Sequence, residues 1–232
     1  MIKAIIFDAD HTLYVPRAGN AYSRKFEFLA AALGRDAGDI AAKWTAIVAS
    51  LKSDKNPSHR KREYSTEKAL VSLGVPSRKS KLLARSAVRL FWREVLKKLE
   101  PARGVTSVVP ALSKDYALCI ASDEFRESLE LKLKKVFGAK WKKYFSFLVT
   151  PEDTKSLKPS AAYCETALRK LKLKPSQVLV VGDNWQRDLE HAKRRGMKTA
   201  LLAEFREGEP DFHVRELSEL FKVLSKLDKL ER

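Results

Sequence analysis

The chain has 232 residues, 44% of them apolar and 32% charged, with a formal net charge of +17. That length can bury the core of one large domain, or of a domain carrying a smaller insert. No window approaches the roughly 18 uninterrupted apolar residues of a membrane span. The opening Met1–Tyr14 stretch is too short in its apolar run, and too acidic behind it, for a signal peptide. Cys119 and Cys164 have no CxxC spacing, which reads as reduced thiols and a cytoplasmic protein.

The basic excess gathers in Lys52–Arg62, Arg78–Lys98 and Lys132–Lys143. Such a field draws in anions of any size. A solvated lysine-rich surface is the favoured reading. Nucleic acid is a conceivable partner that is not favoured, because no nucleic-acid motif accompanies the charge. The oligomeric state is unknown at this level.

Taken in chain order, Ile2–Phe7 reads as a first buried strand. From about residue 15 to 100 no convincing strand occurs. Helical patterns fill that stretch at Ala21–Leu33, Ile40–Leu51, Tyr64–Leu73 and Lys79–Lys98, punctuated near Arg35, Asn56-Pro57 and Gly74-Val75-Pro76. Strand then alternates with helix. Strands are expected at Tyr116–Ala121, Phe145–Val149, Val178–Val181, Lys198–Leu202 and Asp211–Val214. Helices are expected at Phe125–Phe137, Ser160–Leu171, Gln186–Arg195 and Arg215–Leu230. This rhythm predicts an α/β fold with a Rossmann-like parallel sheet covered on both faces. The domain expectation is a core of 1–14 and 101–232, with an inserted all-helical cap domain over 15–100.

Ligands of open α/β sheets bind outside the carboxyl ends of the strands. Four groups of residues fall at such ends. Asp8 and Asp10 follow the first strand, two residues apart in an extended chain, so their repulsion calls for a cation or a shared proton. Ser122, followed by Asp123, puts a hydroxyl at a strand-to-helix turn suited to a phosphate. Lys158 precedes Pro159, which suits a first helical position and fixes the lysine at a helix mouth. Gly182-Asp183 closes a strand, and Asp188 lies one turn further on. Each has a plainer reading taken alone: acids and serines cap helices, and lysines are solvated.

Together, and in this order, the four groups resemble the haloacid dehalogenase (HAD) superfamily. Its motifs are Asp-x-Asp-x-Thr, a strand ending in Ser or Thr, a Lys usually before Pro, and Gly-Asp-x-x-x-x-Asp. Here they stand as Asp8-Ala9-Asp10-His11-Thr12, Ser122, Lys158-Pro159 and Gly182-Asp183 through Asp188. Asp123 departs from the Asn often found after the motif-two hydroxyl. The helical insert matches the family's cap by position and helical character only.

The resemblance implies a phosphoric monoester hydrolase acting on a small phosphorylated substrate. It implies Asp8 as nucleophile and Asp10 as general acid and base. It implies Mg2+ held by Asp8, Asp10 through its backbone carbonyl, Asp183 and Asp188. Thr12, Ser122, Asp123 and Lys158 form the implied phosphate-binding set, with Thr12 orienting Asp10. The branch that displaces halide typically lacks a carboxylate at the second position, since halide needs no proton, so Asp10 favours phosphoryl chemistry on oxygen. A sugar-phosphate mutase and a non-catalytic basic scaffold for nucleic acid are the alternatives. In the helical stretch, Arg17, Arg24 and Lys25 could face substrate, whereas Lys81, Arg85, Arg89, Arg93 and Lys97 read as a solvated stripe opposite Leu83, Val88, Phe91 and Val95. Trp44 and Trp92 read as core.

Overall fold

A computed structural model of the chain describes residues 1–17, 19–54 and 56–230. Lys55, part of one predicted basic run, lies outside the described residues. The chain divides into two compact units, Met1–Val15 with Glu100–Arg232, and Pro16–Leu99. No helix among the described residues is long and apolar enough to cross a membrane.

The first unit is built on six parallel strands. They are β1 (Ala4–Phe7), β4 (Ala117–Ala121), β5 (Phe147–Val149), β6 (Val178–Gly182), β7 (Lys198–Leu202) and β8 (Phe212–Val214), in the order β5-β4-β1-β6-β7-β8. A two-residue pair, β2 (Tyr14–Val15) and β3 (Glu100–Pro101), runs antiparallel beside it. Every residue of β1 and of β6 is buried. A central parallel strand needs cover on both faces, which explains why these segments are continuous apolar runs rather than alternating ones.

Helices α5 (Val105–Leu112), α6 (Arg126–Phe137), α7 (Pro151–Thr154), α8 (Ala161–Leu171), α9 (Glu190–Arg194) and α10 (Leu220–Leu230) belong to the same unit. On one face Ala4, Ile6, Cys119, Ala121, Val178 and Val180 pack with Tyr163, Cys164 and Ala167 of α8 and Ala192 of α9. Both cysteines are buried free thiols.

Several details of this unit differ from the sequence reading, among them the helix expected over Arg215–Leu230, whose α-helical part begins only at Leu220. Helix α5 was not foreseen, since its Val105, Val108 and Val109 favour strand and Pro110 interrupts it. The stretch expected as one helix over Gln186–Arg195 opens as a π-helical turn, Trp185–Leu189, before α9. Pro159 is not the first helical residue. It follows Lys158 through a cis peptide bond, and Ser160 caps α8 by accepting the Ala162 N–H at 3.3 Å.

The second unit contains α1 (Ala21–Leu33), α2 (Ala37–Ser50), α3 (Arg62–Ser72) and α4 (Ser77–Lys98). Gly34, at φ 62°, ends α1 in the left-handed conformation that glycine tolerates without penalty. Asp36 caps α2 by accepting the Asp39 N–H at 3.0 Å. Phe26, Leu29, Ile40, Leu70, Val75 and Ala87 form its core. Lys81, Arg85, Arg89, Arg93 and Lys97 are all exposed along α4 while Val88, Phe91 and Val95 are buried. Lys25 departs from the expectation that it faces substrate. It shares the buried stripe of α1 with Ala21 and Leu29 and is fully buried.

Candidate active site

Register brings the strand ends to one level. Phe7 lies opposite Ile120 on one side and Val181 on the other, so Asp8 leaves the sheet one residue short of the level of Ser122 and Asp183. The order of strands reverses at β1, with β4 and β5 to one side and β6, β7 and β8 to the other. A crevice outside the strand ends opens at such a switch point.

Asp8 is buried, its backbone N–H bonded to the Val181 carbonyl at 2.8 Å. Lys158 reaches it from the loop before α8: the ammonium donates to Asp8 Oδ1 at 2.6 Å and to Asp188 Oδ1 at 2.8 Å. All three side chains are nearly excluded from solvent, at 10% for Asp8, 5% for Lys158 and 4% for Asp188. Carboxylate oxygens of Asp8, Asp183 and Asp188 lie within 4.8 Å of one another. Three carboxylates therefore face one ammonium. Oxygen donors in this number and spacing fit a hard divalent cation.

The electrostatics follow from that imbalance. Burial pushes the Asp8 carboxyl up to about 7, against the pull of Lys158 and with the help of Asp188. Burial and Asp188 also raise Asp183. Lys158 is held above its ordinary range: burial opposes its charge, but Asp8 and Asp188 outweigh burial.

Backbone geometry fits the crowding. A Cβ on Gly182 would meet the Asp188 side chain at 2.6 Å, so the absence of a side chain there lets Asp188 fold back over the strand end. Asp188 Oδ2 then accepts the Asn184 N–H at 3.2 Å, and the Asn184 side chain accepts the Arg187 N–H at 2.9 Å.

Thr12 differs from its expected partner. Its hydroxyl donates to Asp8 Oδ2 at 3.5 Å, not to Asp10. The turn explains this: His11, at φ 61°, reverses the chain, and the Leu13 N–H returns to the Ala9 carbonyl, which brings position 12 back over Asp8. Asp10 is instead bound by Lys132 of α6 at 2.8 Å, whose ammonium also donates to Glu124 at 2.6 Å. The Lys132 side chain is 3% exposed. Burial raises the Asp10 carboxyl, with Lys132 opposing and Glu124 assisting.

Ser122 is buried, and its Oγ accepts the Glu124 N–H at 3.1 Å. It does not sit at the mouth of α6, which begins only at Arg126, with that residue's N–H taken by Glu152 at 3.3 Å. Both oxygens of Asp123 are occupied. Oδ1 accepts the Lys158 N–H at 2.8 Å and the Tyr163 hydroxyl at 2.9 Å, and Oδ2 accepts Arg187 at 2.8 Å. Lys132, Glu124, Tyr163 and Arg187 were not singled out from sequence. For Lys132 a signal existed: it falls on the inward stripe of α6 with Leu129, Leu133 and Val136, where a solvated lysine has no place.

The Asp8 shift carries a stability consequence. The folded carboxyl titrates near 7, above its ordinary 3.8, so the folded state binds the proton more tightly than the unfolded one. Stability from this source is complete below the ordinary value and is lost as pH rises through about 7. Asp8→Asn has no proton to lose. In urea titrations with chelator, its stability relative to the parent should therefore climb between pH 4 and about 7 and level off above. A gap that stays flat or narrows over that range contradicts the assignment.

Known proteins share this fold and, over part of the chain, this sequence. A family model described as haloacid dehalogenase-like hydrolase matches residues 48–202. The pyrophosphatases PpaX of Bacillus thuringiensis (strain Al Hakam) and Bacillus cereus (strain Q1) are each 30% identical over 139 residues, which is 56% of this chain and 62% of theirs. Among solved structures, a 2-haloacid dehalogenase from Pseudomonas syringae pv. Tomato DC3000 aligns with TM-score 0.74 and 24% identity over 97% of this chain and 99% of that one. A HAD phosphatase from Thermococcus onnurineus gives 0.69 and 19% over 96% and 98%. The putative hydrolase YfnB of Bacillus subtilis, whose structure is bound to magnesium, gives 0.64 and 18% over 97% and 99%. These structural likenesses establish the fold. With the family model covering residues 48–202 of 232, the chain belongs to the haloacid dehalogenase-like hydrolases.

Proposed function

We propose that this chain is a magnesium-dependent phosphatase that hydrolyses a small phosphorylated metabolite through an aspartyl-phosphate at Asp8. The observation that carries the reading is the Lys158 ammonium seated between Asp8 and Asp188, with Asp183 completing an oxygen cluster at the strand ends. An attacking carboxylate and a phosphate dianion repel by about 4 kcal/mol per pair of unit charges at 4 Å and an effective dielectric near 20. Lys158 alone, already shared by two carboxylates, does not offset that. Mg2+ held by Asp8, Asp183, Asp188 and the Asp10 carbonyl would supply the missing positive charge.

Asp8 then attacks phosphorus, forming the acyl-phosphate bond as the ester P–O bond breaks. Asp10, whose carboxyl burial favours in the protonated form, gives its proton to the leaving alkoxide. In the second half it takes a proton from water, which attacks phosphorus, releases phosphate and restores Asp8. Lys158 and the Ser122 hydroxyl face the phosphoryl oxygens. We assign Thr12 to orienting Asp8, and Asp123 to holding the Lys158 loop rather than to direct phosphate contact. The helical unit is assigned the role of a cap.

A carboxylate at position 10 argues for an oxygen leaving group over a halide, even though dehalogenases stand among the structural neighbours. Inorganic pyrophosphate is a second substrate reading, favoured by the 30% identity to the PpaX pyrophosphatases.

A phosphate-release screen over sugar phosphates, nucleotides, glycerol phosphate and pyrophosphate tests the reading. Release is expected with Mg2+ and not with chelator. Asp8→Asn should lower kcat by at least about a thousandfold while the variant stays folded; near-full activity would refute the nucleophile. A mutase would convert a sugar phosphate to its isomer with little free phosphate.

Lys132 yields a separate expectation. Lys132→Met removes the cation that holds Asp10, so kcat should fall roughly tenfold or more on alkyl phosphates, whose leaving group needs a proton. It should fall much less on p-nitrophenyl phosphate, whose leaving group does not. Equal losses on both would mean that Lys132 only supports the fold.

A further inference from the structure

The helical unit contains a pocket of about 210 Å³ lined by Tyr22, Trp44, Val48, Leu51, Lys52, Arg60, Arg62 and Ser65. Three of those side chains are cationic and none is acidic. Its walls are planar and apolar: Tyr22 and Trp44 lie with ring centroids 5.5 Å apart, and Val48 and Leu51 extend the apolar side.

The cations around this pocket are poorly matched by the protein itself. Arg62 donates to the Tyr22 hydroxyl at 3.1 Å and stacks over Phe91 at 4.5 Å and Trp92 at 5.2 Å. Arg60 donates to the Lys52 carbonyl at 2.6 Å. Behind the same rings, Lys25 is fully buried, its ammonium 3.9 Å from the Trp44 ring centre, 4.5 Å from that of Phe26, and 3.2 Å from the Thr66 hydroxyl. Among the described residues no carboxylate lies within ion-pair distance of Lys25, Arg60 or Arg62, whereas the buried lysines of the other unit, Lys132 and Lys158, each bind two.

Ring faces and hydroxyls soften the burial of a cation without cancelling its charge. Burial and the neighbouring Arg62 lower the Lys25 ammonium to about 7, so the positive charge beside this wettable pocket is that of Arg60, Arg62 and Lys52, an arrangement that an incoming anion completes. The Ser65 hydroxyl is already engaged, accepting the Trp44 indole N–H at 3.0 Å and donating to the Arg62 carbonyl at 3.2 Å, which leaves the arginines and Lys52 to bind the ligand.

We propose that this pocket binds a small organic oxyanion, a carboxylate or phosphate carried on a planar or apolar body, with the anionic head on Arg60, Arg62 and Lys52 and the body against Trp44 and Tyr22. The proposal goes beyond the phosphatase reading and does not depend on it, because it concerns equilibrium binding within the helical unit.

Trp44 is a local reporter. In full-length 15N-labelled protein without metal, its indole N–H resonance, assigned with Trp44→Phe, should shift saturably with benzoate and with phenyl phosphate but not with benzyl alcohol. Arg62→Gln should weaken binding of both anions about tenfold, the loss of one charge-assisted contact. Arg62 packs against aromatic rings, so Arg60→Gln, at an exposed position, provides the parallel variant and should weaken binding in the same direction. Lys158→Met should leave this titration unchanged. Equal shifts with the neutral alcohol, variants at both arginines that titrate like the parent, or dependence on Lys158 would overturn the proposal, as would the absence of any saturable shift.

Discussion

One ammonium shared among buried carboxylates governs the core of this protein. Lys158 bonds Asp8 and Asp188 with side chains almost removed from water, and Asp183 adds a third acid to the cluster. Burying an ion pair costs several kcal/mol per ion in desolvation and is repaid only when geometry and further hydrogen bonds are good. Here repayment is incomplete by charge count, and burial accordingly pushes Asp8 toward neutrality at about 7. A site in that condition is stabilised by whatever brings positive charge to it. This imbalance, more than any single ligand, is what suits the cluster to a divalent cation.

The rest of the unit serves to hold the imbalance in place. Two fully buried strands, β1 and β6, set Asp8 and Asp183 side by side, and the bare Cα of Gly182 lets Asp188 cross above them. Asp123 anchors Lys158 through its backbone N–H and is itself held by Tyr163 and Arg187. The buried Lys132 and the half-buried Glu124 form a second charge group around Asp10. Burial raises the proton affinity of both aspartates, opposed at Asp8 by Lys158 and assisted by Asp188, and opposed at Asp10 by Lys132 and assisted by Glu124.

Much of this was legible in the sequence because strand ends in a parallel sheet are marked by abrupt changes of character. The apolar run through Phe7 stops at Asp8, and the run through Val181 stops at Gly182-Asp183. Helix Ala21–Leu33 and strand Lys198–Leu202 have their predicted bounds, since periodicity and flanking residues agree there. Long-range partners were not legible. Nothing near Thr12 tells which of Asp8 and Asp10 it meets, because a positive φ at His11 decides it. Lys132, which falls in a basic run read as solvated, and Lys25, read as able to face substrate, share one feature: both lie on the inward phase of a helix among mostly apolar residues, where a lysine is buried. Charge by residue type misled; charge by helical phase would have found both. Exposed side chains contribute to the overall charge of +17 both along α4 and at Lys134, Lys135, Lys140, Lys142 and Lys143, whereas the buried ammonium groups of Lys132 and Lys158 are each matched by two carboxylates.

The central claim is that the Asp8 oxygen, relieved of repulsion, bonds directly to phosphorus. Acid quenching during turnover with Mg2+, followed by peptide mass spectrometry, examines that bond itself. The account predicts a phosphoryl adduct on the Asp8 side chain that appears before free phosphate and decays in water. Steady phosphate release with an unmodified Asp8, or an adduct on another residue, would contradict it.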